Sequence, residues 1–205
     1  MGNDYPEMYY DLLGTIYRER FNCITDQLTL ADLKKTNRAQ EKIDAADIIY
    51  VGGGNSLRLL KRISKYGIDK MLEQAYWKDV VLCGLSAGAI CWCKYGNSDS
   101  RNPKDADRDL IRVKALGFLD FLMCPHYDSQ KKRRESLKRM MKRTKDVPAI
   151  ALDDCAALLI EHGQCRVISE REKAGAYKIY WQGNEYIQKE IEKGVIFELT
   201  EISAI

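Results

Sequence analysis

Histidine is almost absent from this chain of 205 residues, with only His126 and His162. That scarcity, with no clustered Cys/His pattern, argues against a zinc site, and no metal or other cofactor is expected. Proline is sparse, at four. No run approaches the roughly 20 continuous apolar residues that span a bilayer, so no membrane partner is expected. Charge of one sign is lacking too: 33 Lys and Arg against 30 Asp and Glu leave a net +3, which gives no warrant for a nucleic-acid surface. The opening MGNDYPEMYYD carries neither a basic n-region nor an apolar h-region, so no secretory signal is visible. Seven cysteines is an odd number, and Cys91 and Cys93 sit too close for a CxxC motif. Reduced core thiols in a cytoplasmic protein are the expectation. A disordered or collagen-like chain is excluded by 45% hydrophobic and 31% charged residues. The length predicts one domain over 1–205. An opening strand is also missing, since helical material begins almost at once.

What is present reads as strand and helix in alternation. Residues 6–22 predict an amphipathic helix with a stripe of Tyr9, Leu12, Leu13, Ile16 and Tyr17. CITDQLTL reads as extended, and 31–45 have a helical rhythm. ADIIYVGGG is a buried strand feeding a glycine loop, with Asn55 or Ser56 capping the next helix. DVVLCGLSAGAICW repeats strand, tight turn and helix. Residues 95–109 predict a surface loop, and the acids Asp99, Asp105, Asp107 and Asp109 lack EF-hand spacing. ALGFLDFLMCPH is another apolar run. Residues 129–145 form a basic helix whose apolar face is Leu137, Met140 and Met141; KKRR reads as its solvated face. VPAIALDDCAALLIE predicts a third strand interrupted by two acids. CRVIS, YKIYW and GVIFEL read as antiparallel or edge strands between turns at Gly163, Gly183 and Gly194. The order predicts an α/β domain with a mostly parallel sheet, whose ligands bind beyond the carboxyl ends of the strands.

Gly84-Leu85-Ser86-Ala87-Gly88 matches G-x-S-x-G between a strand and a helix-compatible segment. Such a turn needs tiny flanking residues, and it lifts the serine hydroxyl above the sheet as a nucleophile. Backbone N–H groups of Gly53 and Ala87 would face a developing oxyanion. A serine needs a base. His126, after an apolar run and a proline, is the candidate, whereas His162 reads as an exposed turn residue. Asp153 and Asp154 interrupt an apolar strand, and one of them should orient the imidazole, because unpaired buried charge is costly. Periodicity does not choose between them.

VGGGNS, GLSAGAICW, CPHYDS and ALDDCAALL together resemble peptidase family S51, which contains aspartyl dipeptidase (peptidase E) and cyanophycinase. The resemblance implies a three-layer α/β sandwich like the class I glutamine amidotransferase domain. It implies a serine peptidase for small peptides with an N-terminal aspartyl or isoaspartyl residue, acting through an acyl-enzyme. Ser86 would be the nucleophile, His126 the base, and Gly53 with Ala87 the oxyanion donors. The family's triad acid is a glutamate that matches Asp154, one methylene shorter, with Asp99 the alternative. Substrate contacts would come from Arg134 first, then Arg133, with Asn55 of the GGGN motif. A non-peptidase amidase or a silent binding protein are the alternatives. Family members look longer at the start, so N-terminal strands are expected to be lacking here, with a homo-dimer covering the exposed sheet.

Overall fold

Proline at a helix start and tyrosines at helical spacing give α1 (Pro6–Phe21) in the computed structural model of the chain, which describes residues 6–101, 110–130 and 132–203. Residues 1–5, the acidic positions Asp105, Asp107 and Asp109, and Lys131 of KKRR lie outside the described residues. The chain falls into two compact units, 1–88 and 89–205.

In the first unit, α1 turns Tyr9, Leu13 and Tyr17 inward, while Leu12 is exposed rather than part of the stripe. The extended stretch after it leads to α2 (Leu30–Leu33) and α3 (Thr36–Asp44). Thr29 caps α2 in a reciprocal box with Asp32, whose carboxyl is held well below its ordinary range by the Thr29 hydrogen bonds. Then comes β1 (Ile48–Val51), followed by α4 (Ser56–Lys65), α5 (Ile68–Trp77) and β2 (Val81–Gly84). Gly67, at φ +67°, makes the break between the two helices. β1 and β2 pair in parallel, from Ile48 opposite Val81 to Val51 opposite Gly84, as a helical crossover requires. The short α6 (Ala87–Cys91) follows, and the boundary between the units falls inside it.

The second unit contains β3 (Cys93–Ser98), β4 (Ile111–Lys114), β5 (Leu119–Cys124), α7 (Lys132–Lys142) and β6 (Ala149–Leu152). Next are β7 (Ala156–Glu161), β8 (Gln164–Ser169), β9 (Ala176–Gln182), β10 (Glu185–Glu190), β11 (Ile196–Glu198) and α8 (Leu199–Ser203). Its main sheet has the order β10-β9-β6-β5-β3-β4, and a second sheet has the order β11-β8-β7. Alternate residues of β5, β6 and β9 build one core face: Leu122 and Cys124, Ala149 and Ala151, Ile179 and Trp181. α7 seals it with Leu137 and Met141, so the basic helix buries the apolar face that its sequence predicts. Leu137 is fully buried, and Leu137→Ala is expected to cost about 2–5 kcal/mol in urea unfolding.

The fold is α/β, but strand pairing is mixed rather than mostly parallel: the β1–β2 sheet is parallel, the β11-β8-β7 sheet antiparallel and the six-stranded sheet mixed. Among the described residues only β1–β2, β3–β5 and β5–β6 pair in parallel. The antiparallel β3–β4 pair and, above all, the tail make the difference. Tight turns at Gly163 and Gly183, both at positive φ, return the chain on itself, and a two-residue connection can join only antiparallel strands. β10, the second arm of the Gly183 hairpin, has no counterpart in the sequence reading. Residues 95–98 complete β3 instead of starting a loop. The interrupted strand at 149–161 is two strands in different sheets, β6 and β7.

None of the seven cysteines is in a disulfide. Cys91, Cys93, Cys124 and Cys165 are buried, and burial pushes the Cys124 thiol up to about 12 and that of Cys165 up to about 11. Cys155 departs from the core-thiol expectation and is exposed, because the break between β6 and β7 puts it in a turn. No helix among the described residues is long and apolar enough to cross a membrane.

Candidate active site

The elbow is built by β1 and β2 of the first unit. Leu85 N–H donates to the Val51 carbonyl at 3.2 Å, extending the parallel ladder by one step. The chain then turns at Ser86, at φ +54°, and Gly88 N–H donates to Leu85 O at 2.9 Å as α6 begins. A non-glycine residue in the left-handed region is uncommon, and such residues cluster at functional sites. A Cβ on Gly88 would stand 1.8 Å from Val51 O, so only glycine fits there. A Cβ on Gly53 would meet Leu85 O and Ser86 Cβ at 3.5 Å, which sets the glycine loop directly against the elbow. Gly54 holds φ +128°, and Gly52 lies under the Tyr9 ring, where a Cβ would come within 2.5 Å of Cε1. Asn55 Oδ1 accepts from Arg58 N–H at 2.9 Å, so the last residue of GGGN caps α4.

In the second unit, His126 follows β5 at φ +57°, with its side chain 24% exposed. Its Nδ1 lies 2.6 Å from Asp154 Oδ1. The structure thus brings Asp154 to the imidazole and turns Asp153 away from it. Asp153 is buried, accepting from Gly175 N–H at 2.9 Å and from the Tyr177 hydroxyl at 3.4 Å. Asp99 is half-buried, and its charge falls on Arg133. Burial raises the Asp154 carboxyl, but hydrogen bonds from Ser129 and His126 outweigh it and hold the group below its ordinary value. Asp154 N–H also donates to Asp128 Oδ1 at 2.9 Å. Nothing in the sequence pattern singles out Asp128 and Ser129, although both stand in CPHYDS, two and three residues after the histidine. Ser86, His126 and Cys155 are three of the six described non-glycine residues at positive φ. His162, also among them, is exposed in the turn between β7 and β8.

The two arginines have different surroundings. Arg134 is exposed, with its guanidinium 4.7 Å from the centre of the Tyr127 ring and Nε 3.5 Å from Tyr127 O. Arg133 is only 2% exposed. It donates to Gln130 Oε1 at 2.7 Å, to the Asn97 carbonyl, and to Asn97 Oδ1 at 3.3 Å, and burial lowers its pKa. It therefore ties α7 to β3. Among the described residues no group of three or more His, Cys, Asp or Glu is placed to hold a metal ion.

Residues 4–168 match the family model "Peptidase family S51". The uncharacterized peptidase YgaJ of Bacillus subtilis is 33% identical over 183 residues, covering 89% of this chain and 74% of its own length. Peptidase E of Streptomyces coelicolor is 27% identical over 140 residues, covering 64% of this chain and 56% of its own. A crystal structure of a peptidase from an acI-B1 Actinobacterium superposes with TM-score 0.69 at 15% identity, covering 96% of this chain and 78% of that one. That likeness speaks for the fold. With most of the chain matched by the family model, and the elbow, the glycine loop and the PHY histidine inside the matched range, the chain belongs to peptidase family S51.

Proposed function

We propose that the chain is a serine-type peptidase cleaving small peptides with an N-terminal aspartyl or isoaspartyl residue, as one hydrolase domain of the three-layer, amidotransferase-like kind. The observation that carries this reading is the bond between His126 Nδ1 and Asp154 Oδ1. A carboxylate on Nδ1 fixes the tautomer that leaves Nε2 as the base, and it stabilises the imidazolium that forms. In this mechanism Ser86 Oγ attacks the scissile carbonyl carbon while His126 takes its proton. The N–H groups of Gly53 and Ala87 hold the oxyanion. The C–N bond then breaks, and His126 returns the proton to the leaving amine. Water, deprotonated by the same imidazole, attacks the Ser86 ester and releases the acid. Arg134 is preferred to Arg133 for the substrate carboxylate, because it is exposed and pre-set against Tyr127, whereas Arg133 is committed to Asn97 and Gln130.

The test is hydrolysis of an Asp-Xaa and isoAsp-Xaa dipeptide panel. Release of free aspartate is expected, and a fully inert panel contradicts the reading. Asp154→Asn is expected to lower kcat by about a hundredfold to ten-thousandfold with little change in KM, because it favours the wrong imidazole tautomer. Equal kcat in the two proteins would remove Asp154 from the triad.

A further inference from the structure

Asp153 is a buried acid that the proposed reaction leaves unused. It is 6% exposed and stands where β6 stops. The last rung of the β6–β9 ladder pairs Leu152 with Ala176. One step further, Asp153 N–H donates to Gly175 O at 3.0 Å, and Gly175 N–H donates to Asp153 Oδ2 at 2.9 Å. The side chain thus supplies the acceptor that the main chain would have supplied had the strand continued. The main-chain carbonyl of Asp153 is released from the ladder and instead accepts from Ala156 N–H at 3.2 Å, closing the turn. Within that turn Asp154 reaches His126, and Cys155 takes φ +71° before β7 starts in another sheet. The Tyr177 hydroxyl holds the same Oδ2 from the neighbouring strand.

We propose that Asp153 is a positioning residue. By clasping Gly175 with both main chain and side chain, it makes the chain leave the sheet at one fixed residue and delivers the Asp154 carboxylate to His126 Nδ1. What matters is the length and the acceptor oxygen of the side chain, not its charge. Its Oδ1 is buried without a hydrogen-bond partner among the described residues, where a charged oxygen would be costly. Burial also pushes the Asp153 carboxyl above its ordinary value, against the Gly175 hydrogen bond. The adjacent acids therefore do different work: Asp154 partners the imidazole, and Asp153 sets the turn that holds it there.

The inference rests on the reading of Asp154 as the partner of His126, and three variants of the full chain test it. Asp153→Asn keeps the length and the acceptor, Asp153→Glu keeps the charge but is one methylene too long, and Asp153→Ala removes the clasp. Two readouts are taken. One is the downfield proton resonance of His126 Nδ1–H, assigned by its loss in His126→Gln. The other is kcat and KM on whichever dipeptide the wild type cleaves. Asp153→Asn is expected to keep the resonance and nearly all of kcat. Asp153→Glu and Asp153→Ala are expected to lose or broaden the resonance and to lower kcat about tenfold to a hundredfold with KM nearly unchanged. If Asp153→Ala does not fold, the order of Asn over Glu decides. Glu retained with Asn damaged would assign Asp153 a role through its charge and overturn the proposal, as would wild-type behaviour in both. If the wild type cleaves no dipeptide, the peptidase reading fails while the resonance still tests the clasp.

Discussion

Gly88→Ala is expected to cost about 3 kcal/mol or more of stability, which for a chain of this size lowers the melting temperature by roughly 6–12 °C. The cause is one contact. The new Cβ would lie 1.8 Å from Val51 O and 2.6 Å from Val51 C. Neither atom is free to yield. Val51 O accepts from Leu85 N–H, and Val51 pairs with Gly84 in the parallel ladder. Relief requires either parting β1 from β2 or lifting the start of α6 off the sheet. The second route carries Ser86 with it, so activity is expected to fall even in the fraction that folds. A thermal melt followed by circular dichroism checks the first effect, and a variant melting with the wild type would mean that the approach of α6 to β1 is misassigned. Gly53→Ala is the control, since its Cβ would meet its neighbours at an ordinary 3.5 Å.

Ser86→Ala is the second large effect. Loss of the proposed nucleophile is expected to lower kcat by about a thousandfold to a millionfold, leaving only what positioning and the proposed oxyanion donors supply. KM should move little, because the hydroxyl makes its bond in the transition state rather than in substrate binding. The fold should survive. Alanine removes a single oxygen, although it leaves a Cβ-bearing residue at φ +54° as in the wild type. Intact circular dichroism with activity lost is therefore the expected pair of results.

Much of this was legible in the sequence because local chemistry set it. GLSAG announces its turn by its small residues, although the contact that demands Gly88 comes from Val51 in β1, and Asn55 caps α4 through its own side chain. The apolar face of α7 follows from helical spacing at Leu137, Met140 and Met141, all of which are buried. The antiparallel character of the tail strands β8, β9 and β11 was legible too, from the short turns between them, but the break between β6 and β7 was not. β6 and β7 are contiguous in one apolar stretch yet belong to different sheets, and only the pairing of β6 with β9, far along the chain, shows where the first must stop. Periodicity could not choose between Asp153 and Asp154 for the same reason, and only the family resemblance pointed to Asp154. Period two presumes a continuing strand, and the strand ends at Leu152, held by Gly175. Arg133 and Arg134 likewise differ by which side of α7 each occupies, and Asn97, which pairs with the buried one, comes from β3.

In the proposed reaction Ser86 carries the acyl group. Acid-quenching the enzyme during turnover of a cleaved aspartyl substrate, followed by mass analysis of the peptide containing Ser86, tests it most directly. An aspartyl ester is expected on that peptide in the wild type, and neither ester nor free aspartate above background in Ser86→Ala. Aspartate released by Ser86→Ala at the wild-type rate would contradict it.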